Sequence, residues 1–177
     1  MFLAMSLASN IKEPSFELIK KEGNIEVRLY PEYIVARTSN SGGDEELNNS
    51  MFRVLAGYIF GGNVKNQEIP MTAPVITKEE DDSYDMIFFM LDVEDERQLP
   101  IPNSDKVEIE KMNLGKVVTI QFGWWATKNN VSRQRKKIEA YMRQNNLEPI
   151  SDLMVAQYNS PWMLPPFRKN ELIYRIK

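Results

Sequence analysis

Glu171 is the carboxylate in this chain with the most chemistry around it. It opens a strand-like run to Ile176, just behind Arg168 and Lys169, and follows an aromatic, proline-rich loop carrying Trp162 and Phe167. Two roles suit such a residue. One is a surface salt bridge or a turn-closing hydrogen bond; the other is a carboxylate held near aromatic rings for a cationic ligand or a proton transfer. A second set lies between residues 47 and 59, where Leu47, Met51, Val54, Leu55, Tyr58 and Ile59 recur at three- and four-residue spacing, flanked by Arg53. That stripe is either plain core packing or the lining of a cleft for a flat, apolar, acidic ligand. Methionine adapts to such a surface, and an arginine at its rim pairs with a carboxylate. A third set is Trp124-Trp125 at the end of a strand-like run. Adjacent residues of a strand point to opposite faces, so one indole can be core and the other must be exposed, covered by a loop or used for binding.

Equally informative are the residues the chain lacks. It contains no cysteine and no histidine. That removes disulfides, thiol chemistry, histidine-based acid–base catalysis, Ser-His-Asp and Cys-His pairs, and zinc sites built from His or Cys. A haem held by a histidine of this chain is excluded as well. Gly61-Gly62 follows a helical pattern, whereas a phosphate-binding loop precedes one. The acidic runs Glu45-Glu46, Glu79 to Asp82 and Glu94 to Glu96 fall in loops or at a helix start, with none of the spacing of a calcium loop. No catalytic residue and no metal site is expected, and the chain reads as a binding protein rather than an enzyme.

At 177 residues with 42% hydrophobic and 27% charged side chains, the chain is long enough for a real core. Its net charge of −3 carries no footprint for nucleic acid. One local basic run, Arg133, Arg135, Lys136 and Lys137, is either a solvated helix face or a site for an anion or an acidic partner. No stretch has the length of a membrane span, so no stable membrane insertion is expected. Residues 1–12 read as an N-terminal tail. Cytoplasmic residence is expected, or export if residues 1–8 are the remnant of a signal peptide.

The elements that must position these residues follow from periodicity and breakers. Alternation predicts strands at Phe16–Lys20, Ile25–Tyr30 and Tyr33–Thr38, with Gly23-Asn24 as a hairpin turn and Pro31-Glu32 as a break. A helix capped by Asp44 ends at Gly61-Gly62-Asn63. Strands at Thr72–Thr77 and Tyr84–Leu91 come next, and Leu99 to Asn103 reads as a connector. The order then recurs. Strands at Lys106–Lys111 and Lys116–Phe122 flank a turn at Asn113-Leu114-Gly115. A helix covers about Val131–Asn145, and strands at Leu153–Tyr158 and Glu171–Ile176 close the chain. The expected organisation is a single domain over 13–177 built from two pseudo-repeats, about 13–98 and 103–177, in which two helices cover one curved antiparallel sheet or barrel.

Five segments, in this order, resemble the SOUL haem-binding family. They are Ile25 to Tyr30 with Val35-Ala36, Tyr58 to Asn63, Met71 to Val75, Val118 to Gly123, and Tyr158 to Trp162 through Arg168 to Glu171. The resemblance covers the chain from about residue 13 to its end. It implies an α+β fold of two pseudo-symmetric halves forming a distorted antiparallel barrel flanked by two helices. It also implies a carrier or buffer for haem or another tetrapyrrole, held in a shallow apolar cleft beside the first helix. Its matching positions here are Met51, Arg53, Val54, Leu55 and Tyr58, with Lys65 on the following loop. With no histidine, such a ligand would be held by contacts and charge alone, or by Met, Tyr or Lys as an axial group. The related GyrI-like effector-binding domains offer an alternative, a cavity for cationic or aromatic ligands facing a buried glutamate. Glu171 with Trp124, Trp125 or Trp162 would be the analogous set. A protein-interaction module using the second helix is a third reading.

Overall fold

The structure is a computed structural model that describes residues 11–41, 45–80, 83–159 and 163–177. Its strands are β1 (Glu17–Glu22), β2 (Ile25–Ser41), β3 (Val75–Glu80), β4 (Ser83–Phe89), β5 (Glu108–Phe122), β6 (Met154–Gln157) and β7 (Asn170–Arg175), and its helices are α1 (Glu45–Ile59) and α2 (Lys128–Gln144). The sheet runs β1-β2-β4-β3-β6-β7-β5 and closes through a second pairing of β2 with β5. Six strands therefore form a barrel in which every ladder is antiparallel, and β1 is an extra strand on the edge of β2. Each half contributes a long strand, a helix and two short strands: β2-α1-β3-β4, then β5-α2-β6-β7. The predicted α+β barrel of two pseudo-symmetric halves is what forms.

Side-chain alternation sorts the core into three parts. Inside the barrel lie Tyr30, Val35, Ile76, Ile87, Phe89, Leu114, Val117, Met154, Ala156 and Ile173. Their neighbours one residue along point outward. Ile34, Ala36, Met86 and Phe88 pack under Met51, Leu55, Tyr58 and Ile59 of α1. Val118, Ile120, Leu172 and Tyr174 pack under Ile138, Tyr141 and Met142 of α2. The strands are thus apolar on both faces wherever a helix covers them, which is why their sequence alternation is incomplete.

Two predicted breaks are not breaks. Pro31 was expected to end a strand, yet β2 runs through it for 17 residues. The β1 ladder ends at Leu29 and the β4 ladder starts at Val35, so Pro31 lies where that edge has no partner and its missing N–H costs no ladder bond. Opposite it, Asn113-Leu114-Gly115 was expected as a turn, yet β5 continues through it. Gly115 takes φ +60°, which bends the strand, and Leu114 is carried into the barrel interior. The two irregularities face one another between the pairs Tyr30–Gly115 and Glu32–Asn113. Predicted hairpins in each half therefore fuse into two long bent strands that close the barrel.

The helix ends are close to expectation. Thr127 caps α2 by accepting from the Asn130 N–H. Past α1, Gly61 takes φ +99° and the Gly62 N–H donates to the Gly57 carbonyl at 2.8 Å. Asn63 then organises the loop. Its amide donates to the Tyr58 and Gln67 carbonyls, and its oxygen accepts from the Lys65 and Gln67 N–H groups. The predicted cap at Asp44 lies outside the described residues, as do Ser160 to Trp162 of the proline-rich loop.

Candidate functional site

The outer face of α1 and the interior of the barrel both concentrate polar or exposed chemistry. On α1, Met51, Leu55 and Tyr58 are buried core residues, and the Tyr58 hydroxyl donates to the Pro100 carbonyl at 2.9 Å. Burial pushes its pKa up to about 12. These three take the core-packing role of the stripe. Val54 is half-buried and Arg53 and Lys65 are exposed. Met51 and Val54, with Ser50, border a cavity of about 310 Å³ whose far wall is Thr38 to Asn40 and Asp105, Lys106 and Glu108. The Glu108 charge there is paired with Arg37 at 2.5 Å.

Arg53, Gly57 and Phe60 share the solvent side of α1 at three- and four-residue spacing. A Cβ at Gly57 would meet nothing, so the helix surface is flat and open there. Phe60 is exposed, and beyond it Val64 and Ile101 are exposed too, joined through the Val64 N–H to the Ile101 carbonyl. Exposed apolar side chains thus run off the end of α1, with Arg53 two turns back along the helix and Lys65 next to Val64 in the loop. Neither cation forms an ion pair among the described residues.

The second place was only partly foreseen. Glu171 is wholly buried, 0% exposed, and Arg28 is 4% exposed. They form a two-pronged ion pair inside the barrel: Arg28 Nη1 donates to Glu171 Oε2 at 2.9 Å and Nη2 to Oε1 at 2.8 Å. Arg28 also donates to the Tyr30 hydroxyl and to Glu26, and the Tyr158 hydroxyl donates to Glu171 at 2.7 Å. Phe16 closes the set, its ring 4.2 Å from the guanidinium and 5.2 Å from Tyr30. Burial works against the Arg28 charge, but the bonds and charge of Glu171 outweigh it and hold the guanidinium protonated. Burial raises Tyr30 to about 12 against the pull of Arg28, and burial with the Glu171 charge raises Tyr158 further. A signal for this network was present in the sequence: Glu26, Arg28 and Tyr30 alternate on one face of a strand, as do Glu171 and Ile173. Which carboxylate the arginine would meet, 143 residues away, was not.

The glutamate of the GyrI-like alternative is therefore already neutralised by an internal arginine. A cationic ligand at Glu171 would have to displace Arg28. The tryptophans of that alternative are elsewhere. Trp124 and Trp125 are both exposed, so neither takes the core place open to one of them. The strand ends at Phe122, and Trp124 turns to φ +68°, so strand alternation no longer applies. Trp162 lies outside the described residues.

The residues present offer few ligands for an iron centre. The chain has no histidine or cysteine, Met51 and Tyr58 are committed to the core, and no cluster of metal-ligating side chains occurs among the described residues. Cationic and apolar surface beside α1 is what is offered. No helix among the described residues is long and apolar enough to cross a membrane.

Comparisons with known proteins bear on the family and the fold. The family model described as SOUL heme-binding protein matches residues 11–175. No curated protein matches the chain. Among solved structures, a hydrolase from Listeria innocua is similar at a TM-score of 0.65 and 10% identity, covering 90% of this chain and 94% of that one. The EcmrR C-terminal domain is similar at a TM-score of 0.67 and 11% identity, covering 86% of this chain and 96% of that one. At such identities these two likenesses concern the fold, which is of the GyrI-like type.

Proposed function

The chain belongs to the SOUL heme-binding protein family, and from that premise we propose that it is a carrier or buffer for a tetrapyrrole, without catalysis of its own. The observation that supports this reading most directly is the outer face of α1, where exposed apolar side chains lie near two cations that form no ion pair among the described residues. The macrocycle rests over Gly57 against Val54 and Phe60. Arg53 and Lys65 meet its propionates, and Lys106 supplies a further charge from the neighbouring cavity. A bound haem would bring its own iron and colour; Met51 and Tyr58 are buried in the core and Lys65 is given to a propionate, so contacts and charge hold the macrocycle. Binding is then shallow and exchangeable, which suits transfer or buffering and not redox turnover. An interior site is less favoured, because side chains from all six barrel strands pack together there and the buried Glu171 is held by Arg28.

Titration of the purified protein with haemin and, separately, with metal-free protoporphyrin tests this. Both are expected to saturate at one equivalent with similar affinity, because the iron is not ligated. Arg53→Glu is expected to weaken both by about ten-fold, the scale of two exposed charge interactions. A linear response to either ligand, or saturation unaffected by Arg53→Glu, would overturn the reading.

A further inference from the structure

The exposed tryptophans have no part in the α1 site, yet the fold builds a structure around them. The turn after β5 is stapled to the proline-rich loop. The Trp124 N–H donates to the Pro165 carbonyl at 3.0 Å, and the Asn170 amide donates to the Trp124 carbonyl at 2.8 Å. Arg168 lies beneath Trp125, its guanidinium 4.2 Å from the ring. Asn130 of α2 donates to the Gly123 and Trp125 carbonyls, which ties the turn to the first turn of the helix. The outcome is a rigid knob of apolar side chains held out in water: Trp124 at 61% exposure, Leu164 at 65% and Phe167 at 72%, with Trp125 and Met163 beside them. A left-handed φ is costly for a bulky aromatic residue, and here it serves to turn an indole away from the core.

The charge beside the knob is mostly positive. Between residues 124 and 145 lie Lys128, Arg133, Arg135, Lys136, Lys137 and Arg143, with Glu139 as the only acid, in a chain whose net charge is −3. Lys128 begins α2 directly behind the tryptophans. Arg133 donates to the Asn130 oxygen, one hydrogen-bonded residue away from the turn. Lys128, Arg133, Lys136 and Lys137 are all exposed, and among the described residues only Arg135 of this run forms an ion pair, with Glu139. Convex aromatic and aliphatic side chains at a loop tip, next to a spread field of cations, match the layered chemistry of an anionic lipid surface. Indoles and a phenyl ring enter the headgroup boundary while lysine and arginine remain among the phosphates.

We propose that the Trp124-Trp125 turn and the Leu164–Phe167 loop, with the basic face of α2, dock this protein reversibly on anionic membranes. Co-sedimentation with vesicles of phosphatidylcholine containing phosphatidylglycerol, and with phosphatidylcholine alone, tests it in parallel with tryptophan emission. Binding to the anionic vesicles, a blue shift of emission and release by high salt are expected. The double variant Leu164→Ser/Phe167→Ser changes only exposed side chains and is expected to lower partitioning at least about ten-fold. Lys136→Glu/Lys137→Glu is expected to lower it by about five-fold or more for each cation removed. No binding to anionic vesicles, equal binding to both vesicle types, or a loop variant that binds like the parent would overturn the proposal. Concentration-dependent self-association that is lost in the loop variant, with no response to vesicles, would also overturn it and assign the knob to a second copy of the chain.

Discussion

Arg28 and Glu171 show how much a single buried pair constrains. Each is cut off from water, so each needs the other, and Glu26, Tyr30 and Tyr158 complete their hydrogen bonds. Removing one partner leaves the other charged in a low-dielectric interior, whereas removing both leaves an apolar gap. Glu171→Gln is therefore expected to cost about 3–5 kcal/mol, a fall in melting temperature on the order of 10 °C. Arg28→Met/Glu171→Met is expected to lose clearly less than the single variant. Thermal denaturation of the three proteins decides; a double variant as unstable as Glu171→Gln would mean that the pair itself contributes the missing stability. Half of this site could be read from the sequence. Glu171 stood out by its neighbours along the chain, but its two candidate roles differed in burial, and burial depends on strands that are remote in sequence.

Among the elements, α1 is held in place from its C-terminal end. Gly61 takes a left-handed turn, and Gly62 packs so closely that a Cβ there would lie 2.5 Å from the Gly57 carbonyl oxygen. The obstacle is backbone, which cannot swing aside. Gly62→Ala is accordingly expected to destabilise the fold by about 1–3 kcal/mol and to weaken porphyrin binding in proportion to the loosening of the α1 end. Gly57→Ala, facing open space, is expected to leave stability unchanged or slightly raised. Urea titrations of both variants check the contrast, and an equal loss in the two would refute the close-approach explanation. The helices were legible because their stripes and caps are local. The long strands were less so: Pro31 and Asn113-Leu114-Gly115 carry local breaker signals that the closed barrel absorbs, since each lies where a ladder has a gap or a bulge.

For the molecule as a whole, the buried ionisable groups set the pH range of stability. On the acid side, burial pushes Glu26 up, but Lys21 and Arg28 outweigh it and hold it low. In the same way Ser39, Ser83, Lys78 and Arg37 outweigh burial and hold Asp85 low. Their contribution is present above the ordinary carboxylate range of about 4 and is lost as pH falls through the lower folded values. On the alkaline side, burial raises Tyr30, Tyr58 and Tyr174 to about 12, and Tyr158 beyond. That contribution is complete below about pH 10 and is lost as pH rises through the folded values. Ultraviolet titration is expected to show a late tyrosine phase near 12 in the native protein, which moves down when the protein is unfolded in urea. A single phase near 10 in the native protein would contradict the buried network. The sequence by itself determined the α+β class, the two-half order, both helices and the exclusion of histidine and cysteine chemistry, because composition, periodicity and capping act over a few residues. Only the tertiary structure decided that Glu171 meets Arg28, that Met51, Leu55 and Tyr58 are core, and that both tryptophans face water. Each of those depends on which side chains a closed barrel brings together, and barrel closure is set by pairings between residues far apart in the chain.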